Sequence, residues 1–101
     1  MAWKCEKFIF DVLPFAKKAA AVIYPRTLCF APLKNATGPD SLQTVQSALQ
    51  AYDAQTFAAI TANAQSPTHI FELDPAFYYP TPQLLAKWQG KALPPTPYVQ
   101  P

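Results

Sequence analysis

Apolar positions fall along this chain in several distinct rhythms, and each rhythm predicts a different element. Between Lys4 and Phe15, Cys5, Phe8, Ile9, Val12 and Leu13 recur at helical spacing, which predicts an amphipathic helix ending near Pro14. Glu6 falls in its first turn and Lys17 and Lys18 follow its end, both favourable to the helix dipole. A competing pattern places Phe8, Phe10 and Val12 on one face of a strand, and Phe10 suits either structure. The next run, Ala19 to Tyr24, is short, continuously apolar and bounded by Lys18 and Pro25, which predicts a buried strand.

Phe30 to Ala36 follows as an approach stiffened by Pro32, which drives Ala31 towards extended backbone. Asn35 to Pro39 is turn chemistry, and Asp40 with Gln43 three residues on predicts a capped helix start. From there Leu42, Val45, Leu49 and Tyr52 mark one helical face, and the helix runs on through Phe57 and Ile60 to about Asn63. His69 to Leu73 reads as a strand, Asp74-Pro75 as a turn and Ala76 to Tyr79 as a second extended piece. Gln83 to Gln89 predicts two helical turns with Leu84, Leu85 and Trp88 on one side. Leu93 to Tyr98 is polyproline-like, expected to lie along the surface or fray. The expected class is α/β (as a fragment, α+β): helix, strand, loop, long helix, short strands and a proline-rich tail.

Composition changes this picture in three places. Half the 101 residues are hydrophobic, which excludes a disordered tail and supports a packed core. Twelve prolines against two glycines make the connections stiff. A net charge of +2 with scattered basic residues gives no stripe for nucleic acid. Membrane partners are not expected either, since no apolar run is long enough to cross a bilayer. Cys5 and Cys29 lack metal-ligand spacing, and with no leader peptide they fit a reducing cytoplasm.

Most catalytic signatures are absent, including a glycine-rich phosphate loop and any cluster of His, Cys and carboxylates at ligand spacing. His69 reads best as a strand-edge residue, Cys5 as a core thiol and Asp74 as a turn residue. Lys34 stands out because it sits on a rigid approach next to a helix start, where an ammonium meets phosphate oxygens. A solvated loop lysine gives the same pattern.

Two segments taken together carry a resemblance. Lys4-Cys5-Glu6-Lys7-Phe8-Ile9-Phe10-Asp11, then Arg26, then Phe30-Ala31-Pro32-Leu33-Lys34-Asn35-Ala36 resemble the UDP-N-acetylhexosamine pyrophosphorylase family, which also holds UDP-glucose and UDP-sugar pyrophosphorylases. The family pattern is K-x-E-x-F-[IV]-F-D, a strand, an arginine and F-[SA]-P-L-K-N-A in this order and spacing. Glu72-Leu73-Asp74-Pro75 is a weaker match to its E-[IL]-S-P. The resemblance implies uridylyl transfer from UTP to a sugar 1-phosphate, with Mg²⁺ as cofactor. It implies that Lys34 binds phosphate as the catalytic lysine, with Lys4 reaching substrate phosphates and Arg26 a further substrate contact. Phe8 and Phe10 would line the sugar pocket. Residues two apart on an ideal helix diverge by about 200°, so both rings facing one sugar would need a helix end or an extended start, and Phe10 is the preferred candidate of the two.

The chain departs from the family where an acidic pair is expected after the arginine, since Thr27, Leu28 and Cys29 stand there. The family's GxGTRL loop, uracil-reading segments and metal-binding aspartate have no counterpart. The resemblance therefore implies a C-terminal piece: residues 1–39 as the end of the catalytic domain, 40–101 as a small C-terminal region, and the rest of that domain as a partner. The piece alone is expected to be inactive. The competing expectation is a free-standing interaction module that uses Trp88, Pro94, Pro95 and Tyr98 to contact protein.

Overall fold

The computed structural model describes residues 1–101. Its centre is the long helix α2 (Leu42–Thr61), which packs against the first strand, the 3₁₀ helix and the short helix that follow it. Before it come a 3₁₀ helix at Ile9–Phe15 and the short helix α1 (Arg26–Cys29). After it come β1 (Glu72–Leu73), a 3₁₀ helix at Pro75–Tyr78, α3 (Pro82–Trp88) and β2 (Tyr98–Val99). The α+β class expected from the sequence is present.

The core belongs to the second half of the chain. Phe57 and Ile60 of α2 meet Phe71, Leu73, Phe77, Leu84, Trp88 and Val99 in one cluster. Rings set most of its geometry: Trp88 lies edge-on to Phe57 at 5.6 Å and to Phe77 at 5.4 Å. β1 and β2 pair in parallel, Glu72 opposite Tyr98 and Leu73 opposite Val99. Glu72 N–H donates to the Pro97 carbonyl at 2.9 Å, and Asp74 N–H to that of Val99 at 3.0 Å. Parallel strands need a crossover. Here the Pro75–Tyr78 turn and α3 supply it, carrying Phe77, Leu84 and Trp88 into the core on the way.

Several expectations give way for identifiable reasons. The helix starts at Ser41 rather than Asp40, which takes a left-handed φ of 57°. Ser41 N–H donates to Thr44 Oγ1 at 2.9 Å, so the reciprocal cap is Ser41 with Thr44, not Asp40 with Gln43. The buried stripe of α2 is Asp53, Phe57, Ile60 and Thr61, while Leu42, Leu49 and Tyr52 stay exposed because little packs on that face. Ala62 then turns left-handed and ends the helix just short of Asn63. The expected strand His69–Leu73 shrinks to its last two residues.

Ala76 to Tyr79 is not extended. Asp74 caps a 3₁₀ turn through Ala76 N–H at 2.9 Å, with Pro75 preset for it. α3 forms where expected, capped by Thr81, although Leu85 stays partly exposed. The proline-rich tail does not fray: Tyr98–Val99 pairs with β1 and Val99 is buried in the core.

The first forty residues contrast with this. None is buried, and Pro32 and Asp40 alone are half-buried. The Lys4–Phe15 helix is replaced by the Ile9–Phe15 3₁₀ turn, with Phe8 N–H held by Asp11 Oδ2 at 3.2 Å. Helices in proteins gain most of their stability by burying a face, and this one has no surface to bury against. Pro14 further limits it. The expected strand Ala19–Tyr24 does not form, because no neighbouring strand is present to pair with it. Cys5 is exposed rather than in a core.

The radius of gyration is 18.9 Å, where a compact chain of this length has about 13 Å. The accessible surface is 8607 Å², against roughly 5,700 Å² for a folded protein of this mass. The excess is about 2,900 Å², and residues 1–31 are all exposed. No helix is long and apolar enough to cross a membrane.

Candidate functional site

The loop that carries Lys34 is closed by its own backbone. Lys34 and Asn35 both donate their N–H to the Asp40 carbonyl, at 2.7 and 3.0 Å, and Asn35 Nδ2 donates to that of Pro39 at 2.7 Å. A bridge between Asn35 and Ser41 ties this loop to the start of α2. Gly38, with φ of 76°, makes the reversal without a side-chain penalty. Lys34 is thus an exposed side chain on a backbone fixed from both ends.

Beside this loop, α1 and the first turns of α2 enclose an open groove of about 480 Å³, with Arg26, Phe30, Pro32, Asp40, Thr44 and Ser47 among its lining. The Arg26 guanidinium lies 4.3 Å from the centre of the Phe30 ring. That stacking orients a cation at the mouth of a groove carrying hydroxyls and one carboxylate. The charged groups of this wall are one cation, Arg26, and one carboxylate, Asp40.

Of the sequence candidates, only Arg26 lines this groove. Lys34 lies on the adjoining loop, and Lys4 makes an ion pair with Glu6 on the N-terminal stretch. Phe8 and Phe10 are 59% and 70% exposed and form no pocket wall with Arg26. Phe8 is extended and immediately precedes the 3₁₀ turn that holds Phe10, so the two rings sit at a helix end rather than within a helix.

A second concavity, about 280 Å³, lies between α2 and the segment leading into β1. Asp53, only 3% exposed, accepts Leu73 N–H at 3.3 Å and the Tyr78 hydroxyl. Burial, then the bond to Asp53, push the Tyr78 phenol well above its ordinary pKa of 10.0. Gln50 grips Phe71 at both its N–H and its carbonyl. These side chains replace a missing neighbour strand on the free edge of β1, so their role is structural. The sequence signal for Asp53 was an acid in register with Phe57 and Ile60, which had to find donors on burial. Tyr98 donates to Asp74 Oδ2 at 2.8 Å, and that bond first of all raises its pKa.

Of the four residues expected to form an interaction surface at the C-terminus, Pro95 and Tyr98 are exposed. Trp88 is buried, Pro94 is half-buried and Tyr98 is engaged by Asp74 and β1.

A stretch of 45 residues is 53% identical to a protein of Dictyostelium discoideum described as a "Probable UDP-N-acetylglucosamine pyrophosphorylase". The match takes in 42% of this chain and 9% of that protein. It supports a relationship to UDP-sugar pyrophosphorylases over that short stretch. No family model matches the chain, and neither does any solved structure.

Proposed function

We propose that this chain is part of a UTP:sugar-1-phosphate uridylyltransferase. The observation that carries the proposal is the identity with the Dictyostelium protein over 45 residues. Residues 1–39 are the end of the catalytic domain and 40–101 a C-terminal region. Lys34 contacts phosphate, with Lys4 and Arg26 as further substrate contacts and Phe8 and Phe10 as wall for the sugar. Nucleotidyl transfer needs positioned cations more than a side-chain nucleophile, and an ammonium on a backbone-locked loop suits that need. The partners are UTP, a sugar 1-phosphate and the remainder of the catalytic domain, in a cytoplasm where the exposed Cys5 and Cys29 stay reduced.

Mg²⁺ belongs to the proposed reaction, yet the residues here do not fit it: no three His, Cys, Asp or Glu side chains lie together. On this reading the ion is held by the remainder of the domain. The chain alone should be inactive, because it has nothing to orient the uridine or the triphosphate. The test is an assay of the purified chain with UTP, Mg²⁺ and a panel of sugar 1-phosphates. No turnover is expected, and robust turnover overturns the reading.

A further inference from the structure

Residues 33–39 are all exposed, so packing does not hold the Lys34 loop in place. What closes it is a set of hydrogen bonds onto two consecutive carbonyls: the Lys34 and Asn35 amides donate to Asp40, and Asn35 Nδ2 donates to Pro39. The last, at 2.7 Å, is the one that a side chain makes. Gly38 and Asp40 both turn left-handed to present these carbonyls, and at Asp40, with φ of 57°, the side chain makes that conformation unfavourable. The closure is not needed to start α2, because Ser41 and Thr44 cap that helix between themselves at 2.9 Å. It adds nothing to the core either, since the core begins at Phe57. What it does fix is the backbone of Lys34, whose ammonium makes no ion pair within the chain.

We propose that Asn35 is a positioning residue for Lys34: its carboxamide, seated on the Pro39 carbonyl, holds the loop shut so that the ammonium meets phosphate from a fixed backbone. This rests on the reading of Lys34 as a phosphate contact in a uridylyltransferase. Asn35 itself touches no substrate. A lysine side chain is long and flexible, and an open loop beneath it would add backbone freedom that has to be lost in the transition state. Closing the loop beforehand removes that loss at the point where charge develops on the phosphates. The left-handed Asp40 fits the same role, being an unfavourable conformation kept in a turn that neither the helix nor the core requires. The chemistry of the clamp is specific, because aspartate has the shape of asparagine but no N–H to donate to a carbonyl.

The test compares the parent with Asn35→Ala, Asn35→Asp, Lys34→Ala and the double variant Lys34→Ala/Asn35→Ala. Hydrogen exchange at the Lys34 and Asn35 amides is read on the chain alone. UDP-sugar formation is read on the chain mixed with the Dictyostelium relative lacking the stretch that matches it. In the chain alone, both amides should be protected in the parent and exchange about tenfold faster in Asn35→Ala and Asn35→Asp. The thermal melt should not move, since Asn35 lies outside the core. In the mixture, both Asn35 variants should lower kcat about tenfold with little change in KM. Asn35→Ala should have no further effect once Lys34 is alanine, a coupling that a merely structural role would not produce. Unprotected amides in the parent, parent-like exchange or kcat in either Asn35 variant, or an equal loss from Asn35→Ala with and without Lys34 each overturns the proposal. Those outcomes in an active mixture leave the uridylyltransferase reading standing. A mixture without turnover, or Lys34→Ala equal to the parent, counts against that reading, and the role of Asn35 falls with it.

Discussion

Asp53→Ala tests whether the C-terminal module depends on a buried carboxylate in place of a strand neighbour. Two donors lose their acceptor: Leu73 N–H and the Tyr78 hydroxyl. The amide is fixed in β1 and buried, so leaving it unpaired costs about 1–3 kcal/mol. Tyr78 is only half-buried beside an open groove, and its hydroxyl can turn to water, so its loss is about 0.5–1 kcal/mol. Removing a buried carboxylate that has no cation partner returns part of this. The net expectation is a loss of about 2 kcal/mol. A module of roughly 60 residues has about 3–9 kcal/mol in total, so the melting temperature should fall by about 8–16 °C. Asp53→Asn keeps one oxygen for Leu73 N–H, and its amide can donate to the Tyr78 oxygen, so it should cost about 1 kcal/mol or less. Thermal and urea melts followed by circular dichroism read both variants. A loss below about 0.5 kcal/mol for Asp53→Ala, or a larger loss for Asn than for Ala, would refute this role.

Deleting residues 1–40 should leave the melting temperature within a few degrees of the parent, because no core residue comes from them; a collapse would show that the arm holds the module together. Phe10→Ala should change stability by less than about 0.5 kcal/mol in a urea melt, since the ring is exposed here, whereas Phe77→Ala, fully buried, should cost about 3–5 kcal/mol. Tyr78 holds its proton more tightly when folded, so its contribution to stability is complete below its unfolded pKa of 10.0 and is lost as pH rises above that value. Urea midpoints measured from pH 9 upwards should therefore fall less steeply for Tyr78→Phe than for the parent.

What the sequence revealed follows from which interactions are local. The second half of α2, α3 and the turn at Asp74 were legible because spacing, capping residues and proline position are written in neighbouring residues. The parallel pairing of Glu72–Leu73 with Tyr98–Val99 was not, since two residues carry no period and the partner lay in a run of prolines. The register of the α2 core face was misread because Leu42, Leu49 and Tyr52 are as apolar as Phe57 and Ile60; only tertiary packing decides between them. The helix at Lys4–Phe15 and the strand at Ala19–Tyr24 have genuine patterns and no surface to act on. Of the candidate site, the rigid Lys34 loop was foreseeable from Pro32 and the turn residues. The Arg26–Phe30 stacking was not, because it depends on the α1 turn that brings residues four apart together.

The central proposal is that Lys34 serves phosphate chemistry in a uridylyltransferase completed by the rest of its domain. The most direct measurement is UDP-sugar formation by this chain combined with the Dictyostelium relative lacking the stretch that matches it, comparing the parent with Lys34→Ala. Losing one charge-assisted contact costs about 2–4 kcal/mol at the transition state, so kcat/KM should drop by roughly 30- to 1,000-fold. The melt of the Lys34→Ala chain should stay within about 0.5 kcal/mol of the parent, since the side chain is exposed. Equal kcat/KM for Lys34→Ala and the parent in an active mixture would contradict the proposal and leave Lys34 a solvated loop residue.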